Sequence, residues 1–107
     1  MQTIRNRAEA GAHFLDRQCP GWPKKVNPDI LDLDHPRKCV LGQLYGRYHK
    51  GFFALGLGVR RARRLGFTAK NNTEFRALTR AWKKVIADRL RRRQSGNGKV
   101  KTRQIAG

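Results

Sequence analysis

The sequence predicts an all-α protein: a small bundle of about four helices with a flexible basic C-terminal tail. Three observations predict it. Apolar residues recur at spacings of three and four, most clearly in Phe75, Leu78, Trp82, Val85, Ile86 and Leu90, which fall within an arc of roughly 140° at about 100° per residue. No segment shows the apolar–polar alternation of a half-buried strand. The chain has 107 residues, 38% of them hydrophobic, enough for one domain with one modest core. A helical domain over residues 1–93 and a disordered basic tail over 94–107 are the expected organisation.

Thr3 to Gln18 reads as the first helix. Ile4, Ala8, Gly11 and Leu15 form one stripe, and its small residues would let another helix approach closely. The run Cys19-Pro20-Gly21-Trp22-Pro23 ends it. Residues 24–37 read as an irregular connector anchored by Val26, Ile30, Leu31 and Leu33. A second helix is expected from Arg37 to His49, with Cys39, Val40, Leu44 and Tyr48 on one face and Gly42 and Gly46 spaced for close packing. Gly51 to Leu57 is apolar and expected in the core. A short third helix should follow from Gly58 to Leu65, with Val59, Ala62 and Leu65 inward. The last helix opens with Asn71 and Glu74 at capping-box spacing and continues to about Leu90. Beyond it, Gln94 to Gly107 has only Val100 and Ile105 as large apolar residues, too few to offset ordering entropy of about 1–2 kcal/mol per residue.

The charge lies mostly in one half. Residues 1–48 hold eight Lys/Arg and five Asp/Glu, whereas residues 49–107 hold seventeen and two, within a formal total of +18. Self-repulsion of this size destabilises a fold, so a polyanionic partner is expected, and nucleic acid is the commonest. A merely solvated surface is the plainer reading, but excess basic charge itself brings non-specific nucleic-acid affinity. The candidate contacts are Arg60, Arg61, Arg63 and Arg64 on the third helix, and Arg76, Arg80, Lys83 and Lys84 on the last. Arg91, Arg92 and Arg93 follow, then Lys99, Lys101 and Arg103 in the tail. Arginine's planar fork suits phosphate oxygens, and releasing counterions from neutralised phosphates supplies most of such affinity.

Sharper chemistry finds less support. Ala54 to Val59 followed by Arg60 to Leu65 brushes against a helix-turn-helix, but Arg64 stands where an aliphatic residue should be buried. Gly56-Leu57-Gly58 lacks the third glycine and the preceding strand of a dinucleotide fingerprint. Cys19, His35, Cys39 and His49 could be assembled into a zinc set, yet contain no tight Cys-x-x-Cys pair. Asp29, Asp32 and Asp34 form the acidic patch, a pattern that more often caps turns than binds cations. Trp82 sits in the apolar stripe and is expected in the core, with Trp22 less constrained. No catalytic residue, metal ligand or cofactor is assigned. The longest apolar run, Phe52 to Val59, is far too short to span a membrane, and two cysteines make no disulfide framework, so a cytoplasmic protein is expected.

The stretch Cys39-Val40-Leu41-Gly42-Gln43-Leu44-Tyr45-Gly46, with Leu55-Gly56-Leu57, Leu65-Gly66-Phe67 and Ala77-Leu78-Thr79-Arg80-Ala81-Trp82, resembles a group of short uncharacterised proteins of actinobacteria and their bacteriophages. The resemblance covers roughly residues 8–90 and includes Gly21-Trp22 and Leu31-Asp32-Leu33. It carries no activity and assigns no functional residue. Pro36 stands where some members of the group have a cysteine, which weakens zinc further. Members are also less basic, which implies a shared scaffold and a cationic half particular to this chain.

The expected function is therefore non-catalytic nucleic-acid binding through phosphate contacts, in a bacterial cytoplasm, by a protein of phage or prophage origin. DNA is slightly favoured over RNA on that origin alone. The alternative is a phage effector that binds an acidic host protein and alters its activity, with electrostatic steering of that encounter.

Overall fold

Helix α1 (Ile4–Gln18) begins where the Thr3 hydroxyl accepts the Asn6 N–H at 3.0 Å, a side-chain N-cap that satisfies one of the first-turn donors. In the computed structural model the description covers residues 3–106, with side chains as far as Arg91. The tail expected over 94–107, with Lys99, Lys101 and Arg103, lies outside the residues described at side-chain level, as do Arg92 and Arg93. The described residues form six helices and no strand: α1, α2 (Trp22–Lys25), α3 (Val40–Tyr45), α4 (Tyr48–Ala54), α5 (Val59–Arg64) and α6 (Asn72–Ala106). All-α architecture thus follows the sequence pattern.

The expected start of the last helix is present in altered form. Asn71 Oδ1 accepts the Glu74 N–H at 2.9 Å, as a capping box requires, but Glu74 reaches back to the Lys70 N–H at 3.2 Å and not to Asn71.

Helices α1 and α6 pack side by side and run in the same direction. Arg7 meets Glu74, Gly11 lies against Trp82, and Asp16 pairs with Arg89, so contacts climb both helices together. The small-residue stripe of α1 explains the closeness. A Cβ on Gly11 would run into the Leu65 carbonyl oxygen and the Trp82 ring. Trp82 is fully buried and is the hub of the core. Its indole N–H donates to the Gly66 carbonyl at 2.6 Å, Phe67 stacks on it at 5.7 Å, and Trp22 meets it edge-on at 5.7 Å. Phe14 extends the cluster by an edge contact with Phe67 at 6.3 Å. Trp22 is fully buried too, and its N–H donates to Asp16 at 2.9 Å, satisfying a polar group that burial would otherwise penalise.

Six expectations need correction, the first being that the last helix, expected to continue to about Leu90, extends to Ala106. The helix expected over Arg37–His49 is two helices. Turn bonds from the Lys38 and Cys39 N–H groups to the His35 carbonyl delay α3, and Gly46 at φ +94° ends it in a conformation that favours glycine. Gly42 packs not on a helix but on the connector, beneath the Pro36 carbonyl and Arg37. Ile30, expected as an anchor, is half exposed, whereas Val26, Leu31 and Leu33 are buried. In the apolar run Gly51–Leu57 only Gly51 and Leu57 are buried, and Phe53 is 74% exposed. On α5, Ala62 is buried, Leu65 lies half-buried at its end, and Val59 faces solvent. Helices of six or seven residues present less than two turns, so a periodic pattern barely defines which side faces in.

The motif from Cys39 to Gly46 has a structural task at nearly every position. Cys39 caps α3, with Sγ accepting the Gly42 N–H at 3.2 Å. Val40 and Leu41 are buried. Gln43 clamps the connector, accepting from the Asn27 N–H at 2.7 Å and donating to the Asn27 and Lys38 carbonyls. The connector is also pinned to α6, where Thr79 accepts the Leu33 N–H at 3.0 Å.

Two carboxylates tie the fold to pH. Burial opposes ionisation of Asp16, but hydrogen bonds from Arg89 and Trp22 outweigh it and hold the carboxyl below its ordinary value. Glu74 is held low chiefly by the Lys70 backbone N–H, then by Arg7. A carboxyl depressed in the folded state adds stability above its unfolded pKa, and that stability is lost as pH falls through the folded value. The melting temperature is therefore expected to hold from neutrality to about pH 5 and to fall below about pH 4. Asp16→Asn should lower Tm at neutral pH and shrink the acid loss; a melting curve followed by circular dichroism at each pH checks both.

Candidate nucleic-acid interface

The cations expected to act together fall into two clefts. Arg60, Arg63 and Arg64 recur at the i, i+3, i+4 spacing that puts side chains on one helical face. With Arg7 of α1 they line an open cleft of about 420 Å³. Arg80 and Lys84 of α6 line a smaller one, of about 200 Å³, with Arg5 of α1. Residues two apart on a helix project about 200° from one another, so the two clefts open on different sides of α1. Arg61 belongs to neither, its guanidinium lying over the Phe14 ring at 5.0 Å, a cation–π contact that also shields the core. Arg76 and Lys83 are exposed on the same arc of α6 as Arg80. Arg91 pairs with Asp88 on the surface.

Arg7 and Arg5 are the site residues that sequence reasoning missed. Arg7 is the one buried charged residue among those described, 9% exposed. Its Nε donates to the Arg63 carbonyl at 2.9 Å, one terminal nitrogen to the Thr68 carbonyl at 3.1 Å, and the other to Glu74 at 3.5 Å. It thereby adds a second bond to a carbonyl at the end of α5 that also accepts the Gly66 N–H at 3.1 Å, a place where the helix dipole favours a cation, and joins that end to α1 and the start of α6. The available signal was its place beside Ala8, three residues after Ile4, on the edge of the apolar stripe.

The field over this side is little compensated. Residues 35–73 contain nine Lys/Arg and no Asp or Glu. Among the described residues the Arg/Lys ion pairs are Arg5–Glu9, Arg7–Glu74, Arg89–Asp16 and Arg91–Asp88. None involves Arg60, Arg61, Arg63, Arg64, Arg76, Arg80, Lys83 or Lys84. The Arg5–Glu9 pair, at 3.6 Å with both side chains solvated, does little to hold Arg5 in place.

The geometry departs from a helix-turn-helix. Helix α5 has six residues, Val59 at its start is 64% exposed, and Arg64 is exposed where that motif buries an aliphatic side chain. His35, Cys39 and His49 do line one small cavity, of about 160 Å³, but Cys19 is not in its wall. There, His35 Nδ1 already accepts the Arg37 and Lys38 N–H groups, and burial pushes the Cys39 thiol up, keeping it protonated. Among the described residues no three His, Cys, Asp or Glu side chains converge to hold a metal ion. Asp32 serves a turn, accepting the Asp34 N–H at 3.0 Å. No helix among the described residues is long and apolar enough to cross a membrane.

The fold and site together define a small all-α protein with two arginine-lined clefts. In comparisons with known proteins, the chain matches no family model, no curated protein and no solved structure.

Proposed function

We propose that this protein binds nucleic acid without catalysis, gripping phosphates with Arg60, Arg63 and Arg64 and supplementing them with Arg76, Arg80, Lys83 and Lys84. The observation that carries the reading is the cleft on α5. Three exposed arginines without an acidic partner converge there, around a fourth arginine whose own bonds fix the backbone behind them. Converging like charges repel one another, and a phosphate chain is a ligand that relieves the repulsion at every step. A phage or prophage protein acting in the bacterial cytoplasm, with DNA somewhat favoured over RNA, agrees with the resemblance noted from the sequence.

Salt titration tests it. If about five cations touch phosphates, log affinity should fall against log salt with a slope of about −4 to −5. The triple variant Arg60→Gln, Arg63→Gln, Arg64→Gln should reduce the steepness by up to about three units. Its melting temperature should stay put, because all three side chains are exposed. A second variant replaces Arg76, Arg80, Lys83 and Lys84 by Gln and measures the share of the other side. If both keep wild-type affinity and slope, the reading is wrong for the folded domain. Pull-down from host lysate separates the acidic-protein alternative: a protein partner that survives nuclease treatment would replace nucleic acid as the target.

A further inference from the structure

We propose that Phe53 is a base-stacking platform and that the nucleic acid this protein takes is single-stranded. The proposal rests on the phosphate-binding reading above and names the class of its ligand.

Phe53 is the most exposed of the large hydrophobic side chains described, at 74%. Leaving such a ring in water forgoes burial that the marginal core of a small chain could use. Its ring does not hang free. Phe52 meets it at 5.5 Å with the planes nearly perpendicular, and Tyr48 supports Phe52 in turn at 5.8 Å. Phe52 and Tyr48 are themselves packed against the core. Phe53 is thus held on its flank by an aromatic ladder while most of it remains open, and a phenyl ring has only two side-chain torsions to immobilise on binding.

Its surroundings select the ligand. His49 and Lys50, four and three residues earlier on α4, share its exposed side. The chain then doubles back, with the Gly56 N–H bonded to the Phe53 carbonyl at 3.1 Å and the Leu57 N–H to the Phe52 carbonyl at 3.0 Å. Only residues 55–58 separate α4 from α5, so exposed Val59 and Arg60, the latter in the wall of the arginine cleft, follow within seven residues of Phe53. The partner must therefore be anionic and must also offer a flat apolar face within reach of the anions. Unpaired nucleotides do so at every step, with a base for the ring and a phosphate for the arginines. A duplex offers the phosphates and hides the base faces in its stack. An anionic membrane also combines the two properties, but interfacial insertion scales with buried apolar area, and one ring with one valine presents little.

The test compares three ligands. Phe53→Ala should weaken binding of a twenty-nucleotide oligo(dT) by about 5- to 150-fold, the value of one base stack. It should leave binding of a duplex of the same length unchanged. Phe53→Leu, apolar without a π-face, should behave like Phe53→Ala, whereas Phe53→Trp should retain affinity, its new indole emission being quenched by oligo(dT) and not by the duplex. Circular dichroism melts of all three variants should match the parent. If Phe53→Ala weakens neither ligand, or both equally, while the triple arginine variant weakens both, stacking is wrong and phosphate binding stands. If the parent binds neither ligand at low salt, the phosphate reading fails first. If Phe53→Ala abolishes binding to vesicles of phosphatidylcholine with phosphatidylserine and spares oligo(dT), Phe53 is a membrane contact and the proposal is overturned.

Discussion

Trp82→Ala is expected to destabilise the fold by about 3–5 kcal/mol, the usual range for a buried aromatic. That is a large share of the roughly 5–15 kcal/mol that holds a typical domain together. Three losses combine. The cavity would open between Phe67 and Trp22, which the indole separates with a stacked face on one side and an edge on the other. The Gly66 carbonyl would lose its donor. The contact with Gly11, for which α1 gives up a side chain, would be empty. Trp82→Phe should cost less, since it refills much of the volume and loses only the hydrogen bond and part of the stack. Urea unfolding at neutral pH measures both variants. A Trp82→Ala protein with parental stability would mean that the α1–α6 contact is not the centre of the core.

Arg7→Met should be the other large effect, and it should reach the candidate site. Methionine can fill the stem's volume but leaves the Thr68 carbonyl without its donor and the Arg63 carbonyl with only the Gly66 N–H. An unsatisfied carbonyl costs about 1–3 kcal/mol, and the Thr68 carbonyl sets most of the expected loss. The Glu74 interaction adds less, because at 3.5 Å it is long and the carboxylate is partly solvated. Glu74→Gln alone should therefore be mild. The end of α5 would lose the bond that holds it against α1, so the three cleft arginines would lose their common backing. Oligonucleotide affinity should fall further than removal of one charge explains, and Arg7→Lys, which keeps the charge without the fork, should recover only part. If Arg7→Met melts like the parent and its affinity drops only by a single-charge increment, Arg7 is one more phosphate contact and not the support of the cleft.

Parts of this molecule were legible residue by residue. The stripe Ile4, Ala8, Gly11, Leu15 marks α1, and Asn71 with Glu74 marks the start of α6. Each rests on bonds and periodicities contained within a few turns. Trp82 was legible as core for the same reason: on a long helix its neighbours at three and four residues define its side. The connector's anchors were read with one exception, Ile30, because a single apolar residue in irregular chain carries no periodic context.

By itself, then, the sequence determined the helical class, the extent of α1, the start of α6, and the concentration of cations after Tyr48, all properties of local order or of composition. The tertiary structure alone decided which cations meet. Arg5 and Arg7 join clefts whose other walls lie more than fifty residues away, and Arg61 leaves its neighbours to cover Phe14. It also decided that Val59 and Phe53 face water while Trp22 does not. The reason is the same in each case. A helix of one or two turns has no inside until another element packs on it, and an arginine's long side chain takes its position from the carbonyls, rings and carboxylates that the fold brings within reach.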